Sequence, residues 1–182
     1  MAEDEASLYL QATTAAVWAP VGETPTVSVS TQREKVSFYG SLNLASGQEI
    51  VTRAETMNSE ATAKHLQQIA DTYPDKPLLL FWDRATWHGG EAVKTFLAQT
   101  PRFEVVRFPP GSPDLNPQEH IWKAVRQHIS HNHGQTTLPP LADRFEDFLT
   151  NQTFNYSFLE KFNTKILGTI FAHFNAHCAT SI

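Results

Sequence analysis

Two carboxylates, Asp83 and Glu119, carry most of the chemistry that this chain could perform. Asp83 ends the apolar run Leu78-Leu79-Leu80-Phe81-Trp82, which reads as a buried strand delivering an acid at its C-terminal tip. Glu119 follows after 35 intervening residues, in Ser112-Pro113-Asp114-Leu115-Asn116-Pro117-Gln118-Glu119, a turn leading into a helix start. A third acid, Asp4, opens the strand-like stretch Ala6 to Gln11. Two aspartates and a glutamate, delivered by two strands and a helix, could hold a pair of divalent cations for phosphodiester chemistry.

Each acid also has an ordinary structural reading. Asn116-Pro117-Gln118-Glu119 fits the first positions of a helix: Pro117 suits N1, and a Glu at N3 can reach back to the cap residue's N–H. Asp83 could close an Asx turn as the chain leaves its strand. Asp4 sits in Glu3-Asp4-Glu5 near the terminus, where a solvated charge is the default.

The elements that would position these acids can be read from periodicity and punctuation. Leu8 to Gln11 reads as a first strand, followed by the loop Trp18-Ala19-Pro20-Val21-Gly22. Lys35 to Leu44 alternates with period two and forms a hairpin with Glu49 to Arg53 across Ser46-Gly47. A helix capped by Asn58 or Ser59 runs to about Thr72, and Pro74 stops it. The strand ending at Asp83 follows, then a helix from Glu91 to Gln99, a strand from Phe103 to Phe108, and the helix beginning after Asn116. That helix carries Trp122, Val125 and Ile129 on one stripe. A β-rich beginning followed by β-α alternation predicts an α/β domain with a mixed sheet and helices on its faces. Beyond residue 133, Leu141 to Leu149 and Phe158 to Phe174 read as helices that pack on the domain or on a partner subunit.

Composition narrows the classes. A chain of 182 residues with 41% hydrophobic content and twelve Phe can bury one proper core. No apolar run is long enough to span a membrane, and the acidic start lacks a secretory profile. The lone Cys178 excludes an intrachain disulfide and a cysteine-based zinc cage, so a reducing cytosolic compartment is expected. His128, His131 and His133 lack the partner ligands of a zinc site. The net charge of −5 runs against tight phosphate binding by this chain alone.

Taken together, Asp83-Arg84-Ala85-Thr86-Trp87-His88 and Ser112-Pro113-Asp114-Leu115-Asn116-Pro117-Gln118-Glu119-His120-Ile121-Trp122 resemble two elements of one family. It is the DDE transposases of the mariner-like and bacterial insertion-sequence superfamily. Its members show Asp-x-Ala-x-x-His and, about 35 residues on, Ser-Pro-Asp-Leu-Asn-Pro-x-Glu-x-x-Trp. Asp4-Glu5 and Trp18-Ala19-Pro20-Val21-Gly22 match a further acidic pair and a Trp-x-Pro-x-Gly segment, so the likeness covers residues 3 to 133.

The resemblance implies a ribonuclease H-like fold with a five-stranded mixed sheet, and divalent-metal-dependent cutting and joining of DNA at transposon ends. Residues 1–135 would form the catalytic domain and 136–182 a C-terminal helical extension. Asp4, Asp83 and Glu119 match the three family acids and would bind two Mg²⁺ or Mn²⁺ ions; Glu5 and Asp114 fall outside the matched positions. His88 belongs to the matched element and is a candidate for the phosphate's neighbourhood or for stabilising the turn. Lys123 and Arg126 share the Glu119 face of their helix and are candidate DNA contacts. Members usually carry helix-turn-helix modules before the catalytic domain; none precedes Asp4 here, so a separate DNA-binding chain, a homodimer and a nucleoid location in a bacterium are expectations. Two rival readings remain: another ribonuclease H-like nuclease or resolvase, and an inactive remnant serving as a binding scaffold.

Overall fold

Three consecutive acids lie inside the central strand of the sheet. In the computed structural model, which describes residues 1–154, β1 (Ala2–Tyr9), β2 (Lys35–Leu42), β3 (Glu49–Ala54), β4 (Leu78–Trp82) and β5 (Phe103–Arg107) form one sheet in the order β3-β2-β1-β4-β5. β1–β2 and β2–β3 pair antiparallel, whereas β1–β4 and β4–β5 pair in parallel.

The hairpin, the strand ending before Asp83 and the helix after Asn116 lie where the sequence predicts them. The first strand does not: it begins at Ala2 rather than at Ala6 or Leu8. Pairing explains the difference. β1 is laddered to β2 along its whole length, from Ala2↔Leu42 to Tyr9↔Lys35, which holds even Glu3-Asp4-Glu5 extended. With β4, by contrast, β1 shares the single residue pair Ala2↔Phe81. Asp4 is therefore a strand residue, not a solvated terminal charge.

Helices cover both faces. On one, α1 (Ser59–Thr72) and α2 (Glu91–Gln99) bury Leu66, Ile69, Val93 and Phe96 against Leu78, Leu80 and Trp82. Asn58 caps α1 by accepting from Ala61 N at 2.8 Å. On the other, α3 (Pro117–Val125) and α4 (Leu138–Asn151) bury Ile121, Trp122, Val125, Leu141, Phe145 and Leu149 against Ala6, Leu8, Phe38 and Val51. The beginning of the 136–182 segment thus shares one core with the sheet. The helix expected over Phe158 to Phe174 lies outside the described residues. Among the described residues no helix is long and apolar enough to cross a membrane.

Candidate active site

The Ala2↔Phe81 pair sets the site. Asp4 stands two residues beyond Ala2 and Asp83 two beyond Phe81, so period-two alternation brings both acids level on neighbouring parallel strands and to one face of the sheet. α3 lies on that face, and Glu119 is in its first turn. All three acids line one cleft of about 420 Å³, with Arg84, Ala85, Asn116 and the segment 108–113 forming the rest of its wall.

The helix start is held in a way that frees Glu119. Asn116 accepts from Gln118 N at 3.1 Å, but its own N–H donates to Pro113 O at 2.9 Å. The N–H that a capping box would offer Glu119 is thereby taken, and the glutamate stays exposed in the cleft wall. Its neighbour Gln118 is buried and donates Nε2 to Glu49 Oε1 on β3. Gly40 makes room for this contact, because a Cβ there would run into Gln118 Nε2, Glu49 Oε1 and the Trp122 ring. Asp83, in turn, does close the Asx turn, accepting from Ala85 N at 2.7 Å, while its side chain remains half exposed.

Like charges at close quarters mark the electrostatics. Burial pushes the Asp4 carboxyl up to about 7, and the charges of Glu5, Glu119 and Asp83 push in the same direction. Trp122 Nε1 donates to Asp4 Oδ2 at 3.2 Å. Glu3, on the opposite face of β1, is raised well above the usual carboxylate range by burial and by Glu5, Asp4, Asp83 and Glu49. An all-oxygen set of three crowded acids is the donor chemistry that suits Mg²⁺ or Mn²⁺, whose charge would relieve the repulsion.

Two groups fall elsewhere than the sequence predicts. His88 lies under the sheet with 2% of its surface exposed, so it has no face to offer a DNA phosphate, and that expectation is withdrawn. It sits instead against Glu5, which sequence reasoning left without a role: Nε2 is 3.0 Å from Glu5 Oε1 and 3.5 Å from Glu3 Oε2. Glu3, Glu5 and His88 bring potential ligand atoms within 4.8 Å of one another, on the face of β1 opposite Asp4. Lys123 is exposed on α3, and Arg126 lines a second hollow with Ser7, Tyr9, Gln11 and His131 rather than the cleft. The three clustered histidines are tied to separate partners: His128 to Ala124 O, His131 to Thr13 Oγ1 and His133 to Gln135 N.

A five-stranded mixed sheet with acids on adjacent central strands and on a facing helix defines a family, and the sequence agrees. The model of the DDE superfamily endonucleases matches residues 2–138, and the chain belongs to that family. The uncharacterized 39 kDa protein of insertion element IS630 from Shigella sonnei is 26% identical over 148 residues, covering 81% of this chain. The fold matches the Mos1 transposase paired-end complex with left transposon end at a TM-score of 0.64 and 15% identity, over 83% of this chain and 47% of that one. The mariner Mos1 paired-end complex with Mg gives 0.64 at 17% identity, over 88% of this chain and 51% of the other. The Mos1 catalytic domain alone gives 0.56 at 15% identity, over 83% and 70%. The fold is thus that of the ribonuclease H-like Mos1 catalytic domain. The chain spans 43% of its IS630 relative and about half of the full transposase chains.

Proposed function

We propose that this chain is the catalytic domain of a DNA transposase that cleaves DNA strands at transposon ends and transfers them to target DNA. The observation that carries this reading is the convergence of Asp4, Asp83 and Glu119 on one cleft, with the Asp4 carboxyl raised to about 7 by burial and by its acidic neighbours. The IS630 relative and the Mos1 complexes with transposon DNA support the choice of substrate.

Asp4, Asp83 and Glu119 would hold two Mg²⁺ or Mn²⁺ ions. Such a pair supplies activation of the attacking water or 3′-hydroxyl and neutralisation of charge on the leaving oxygen. The chain's own contribution is placement. β1 and β4 hold two acids level, α3 brings the third across, and Arg84 Nε, by donating to Phe108 O at 3.1 Å, fixes the start of the cleft's Pro109-Pro110-Gly111 rim. Lys123 and Arg126 would meet phosphates beside the cleft. Residues 1–135 are the catalytic unit in this reading, with 136–182 an extension of it. A separate helix-turn-helix chain and a second copy would complete the DNA-bound assembly.

The test is Mn²⁺-dependent cleavage and joining of terminal-repeat DNA by the parent and by Asp83→Asn. Loss of both reactions at unchanged folding supports the reading, and retained cleavage refutes the role of Asp83. A panel adding hybrid and branched substrates separates a transposase from another ribonuclease H-like nuclease.

A further inference from the structure

A metal-ligating carboxylate on a strand tip needs its spare oxygen fixed, or it rotates away from the ion. Asp83 is half exposed and follows the last residue of β4, so its own strand does not fix it. Two groups approach its Oδ1. Ala85 N donates to it at 2.7 Å, and His88 Nδ1 lies 3.2 Å from the same oxygen, close but not aligned as a hydrogen bond.

His88 is itself immobilised. Its ring stacks on Trp82 with centroids 4.3 Å apart and planes within 4°. Its Nε2 is 3.0 Å from Glu5 Oε1, and Trp87 Nε1 donates to that same oxygen at 2.5 Å. The short 3-10 turn Thr86–Gly89 that carries His88 is pinned behind by α1: a Cβ on Gly90 would strike the Ser59 side chain, whose Oγ accepts from Val93 N at 3.3 Å. A chain of contacts therefore runs from Glu5, under the sheet, through the His88 ring to Asp83, in the cleft. Both contacts fall on Oδ1 of a residue that lines the cleft.

We propose that His88, held by Glu5 and Trp87, is a positioning residue that fixes the Asp83 carboxylate for metal binding. The proposal rests on the reading of Asp83 as a metal ligand. It also accounts for Glu5, since the acid next to Asp4 in sequence then serves the neighbouring strand's acid from the opposite face.

The test is calorimetric Mn²⁺ binding together with Mn²⁺ titration of cleavage, with thermal midpoints measured alongside. His88→Phe keeps a ring to stack on Trp82 and removes both nitrogens. It is expected to weaken Mn²⁺ binding by about 10–100-fold, the usual loss on removing an outer-shell partner, with cleavage partly restored by excess Mn²⁺. His88→Asn places an amide nitrogen near the Nδ1 position and should retain more affinity than His88→Gln, whose amide reaches toward Glu5. If His88→Phe fails to fold, that Asn-against-Gln order decides the matter. Unchanged Mn²⁺ affinity in His88→Phe, or equal affinities for Asn and Gln, overturns the proposal. Asp83→Asn is run in parallel: if it too leaves Mn²⁺ binding unchanged, the metal reading of Asp83 has failed, not the positioning role alone.

Discussion

Trp122 and Asp4, 118 residues apart, meet through an indole N–H donated to a carboxylate oxygen at 3.2 Å. The contact ties the buried stripe of α3 to the central strand and fixes one oxygen of a crowded acid. Trp122→Phe keeps an aromatic ring near Phe145 but removes that donor. We expect a loss of about 2 kcal/mol in urea unfolding, and weaker Mn²⁺ binding at unchanged Asp83 geometry. Equal Mn²⁺ affinity would show that the bond serves the core alone.

Asp4 itself opposes folding at neutral pH. Its carboxyl titrates at about 7 in the fold against 3.8 in the free chain, so its contribution is fully present below 3.8 and is lost as pH rises through about 7. Asp4→Asn removes this dependence and can still accept from Trp122. Without divalent metal, the variant should melt above the parent at pH 8, with the gap closing toward pH 4 by up to about 1.4 kcal/mol per unit. Added Mn²⁺ should raise the melting point of the parent more than that of the variant. A gap independent of pH would contradict the assignment.

His65 acts in the opposite sense. It is fully buried, bridges Ser41 and Thr52 at 2.8 and 2.7 Å, and burial lowers its pKa from 6.5 to about 3. A histidine kept neutral in the fold contributes stability above 6.5 that disappears as pH falls toward 3. His65→Gln is destabilising at pH 7, but its stability should fall less steeply between pH 6 and 4 (roughly the range between the two values). Parallel pH profiles for parent and variant would count against this.

Gly40 is needed for space, not for backbone freedom. Gly40→Ala should force Gln118 and Glu49 apart and shift the start of α3, at a cost of about 1–3 kcal/mol. Cleavage should fall further than stability explains, because Glu119 follows Gln118. A crystal structure of the variant with α3 unmoved would refute this coupling.

Charge reversal at Lys123 of α3 and at Arg126, which follows its last residue, tests the proposed DNA path. Lys123→Glu with Arg126→Glu should lower DNA affinity and flatten its dependence on salt, each lost phosphate contact reducing the slope by about 0.9. An unchanged slope would move the path to another face.

Asp83 and Glu119 were legible because their settings are local: an apolar run that ends in an acid, and a proline-marked helix start. Asp4 was legible as a candidate beside the first strand, and resemblance strengthened it. Glu3-Asp4-Glu5 looks like a solvated terminus, and no local pattern reveals that β2 pairs with every residue of that strand. The partners of Glu5 and Glu49 were hidden for a related reason. Trp87 and His88 reach Glu5 across 82 and 83 residues, and Gln118 reaches Glu49 across 69. Buried carboxylates of this kind contradict the apolar rule for strand interiors, and only the tertiary contact that satisfies them makes sense of the sequence. Phe158 to Phe174 reads as a helix in sequence and lies outside the described residues.

The single rung joining β1 to β4 has an evolutionary corollary. β4 ends at Trp82, one residue past that rung, and Asp4 and Asp83 each stand two residues beyond it. Substitutions that extend this pairing would add ladder bonds and raise thermal stability, the usual direction of an engineering campaign, yet they would move Asp4 and Asp83, which line the cleft. Thermostable variants selected without an activity screen should therefore collect changes in α1, α2 and α4 when function is preserved, and changes near this rung when it is lost.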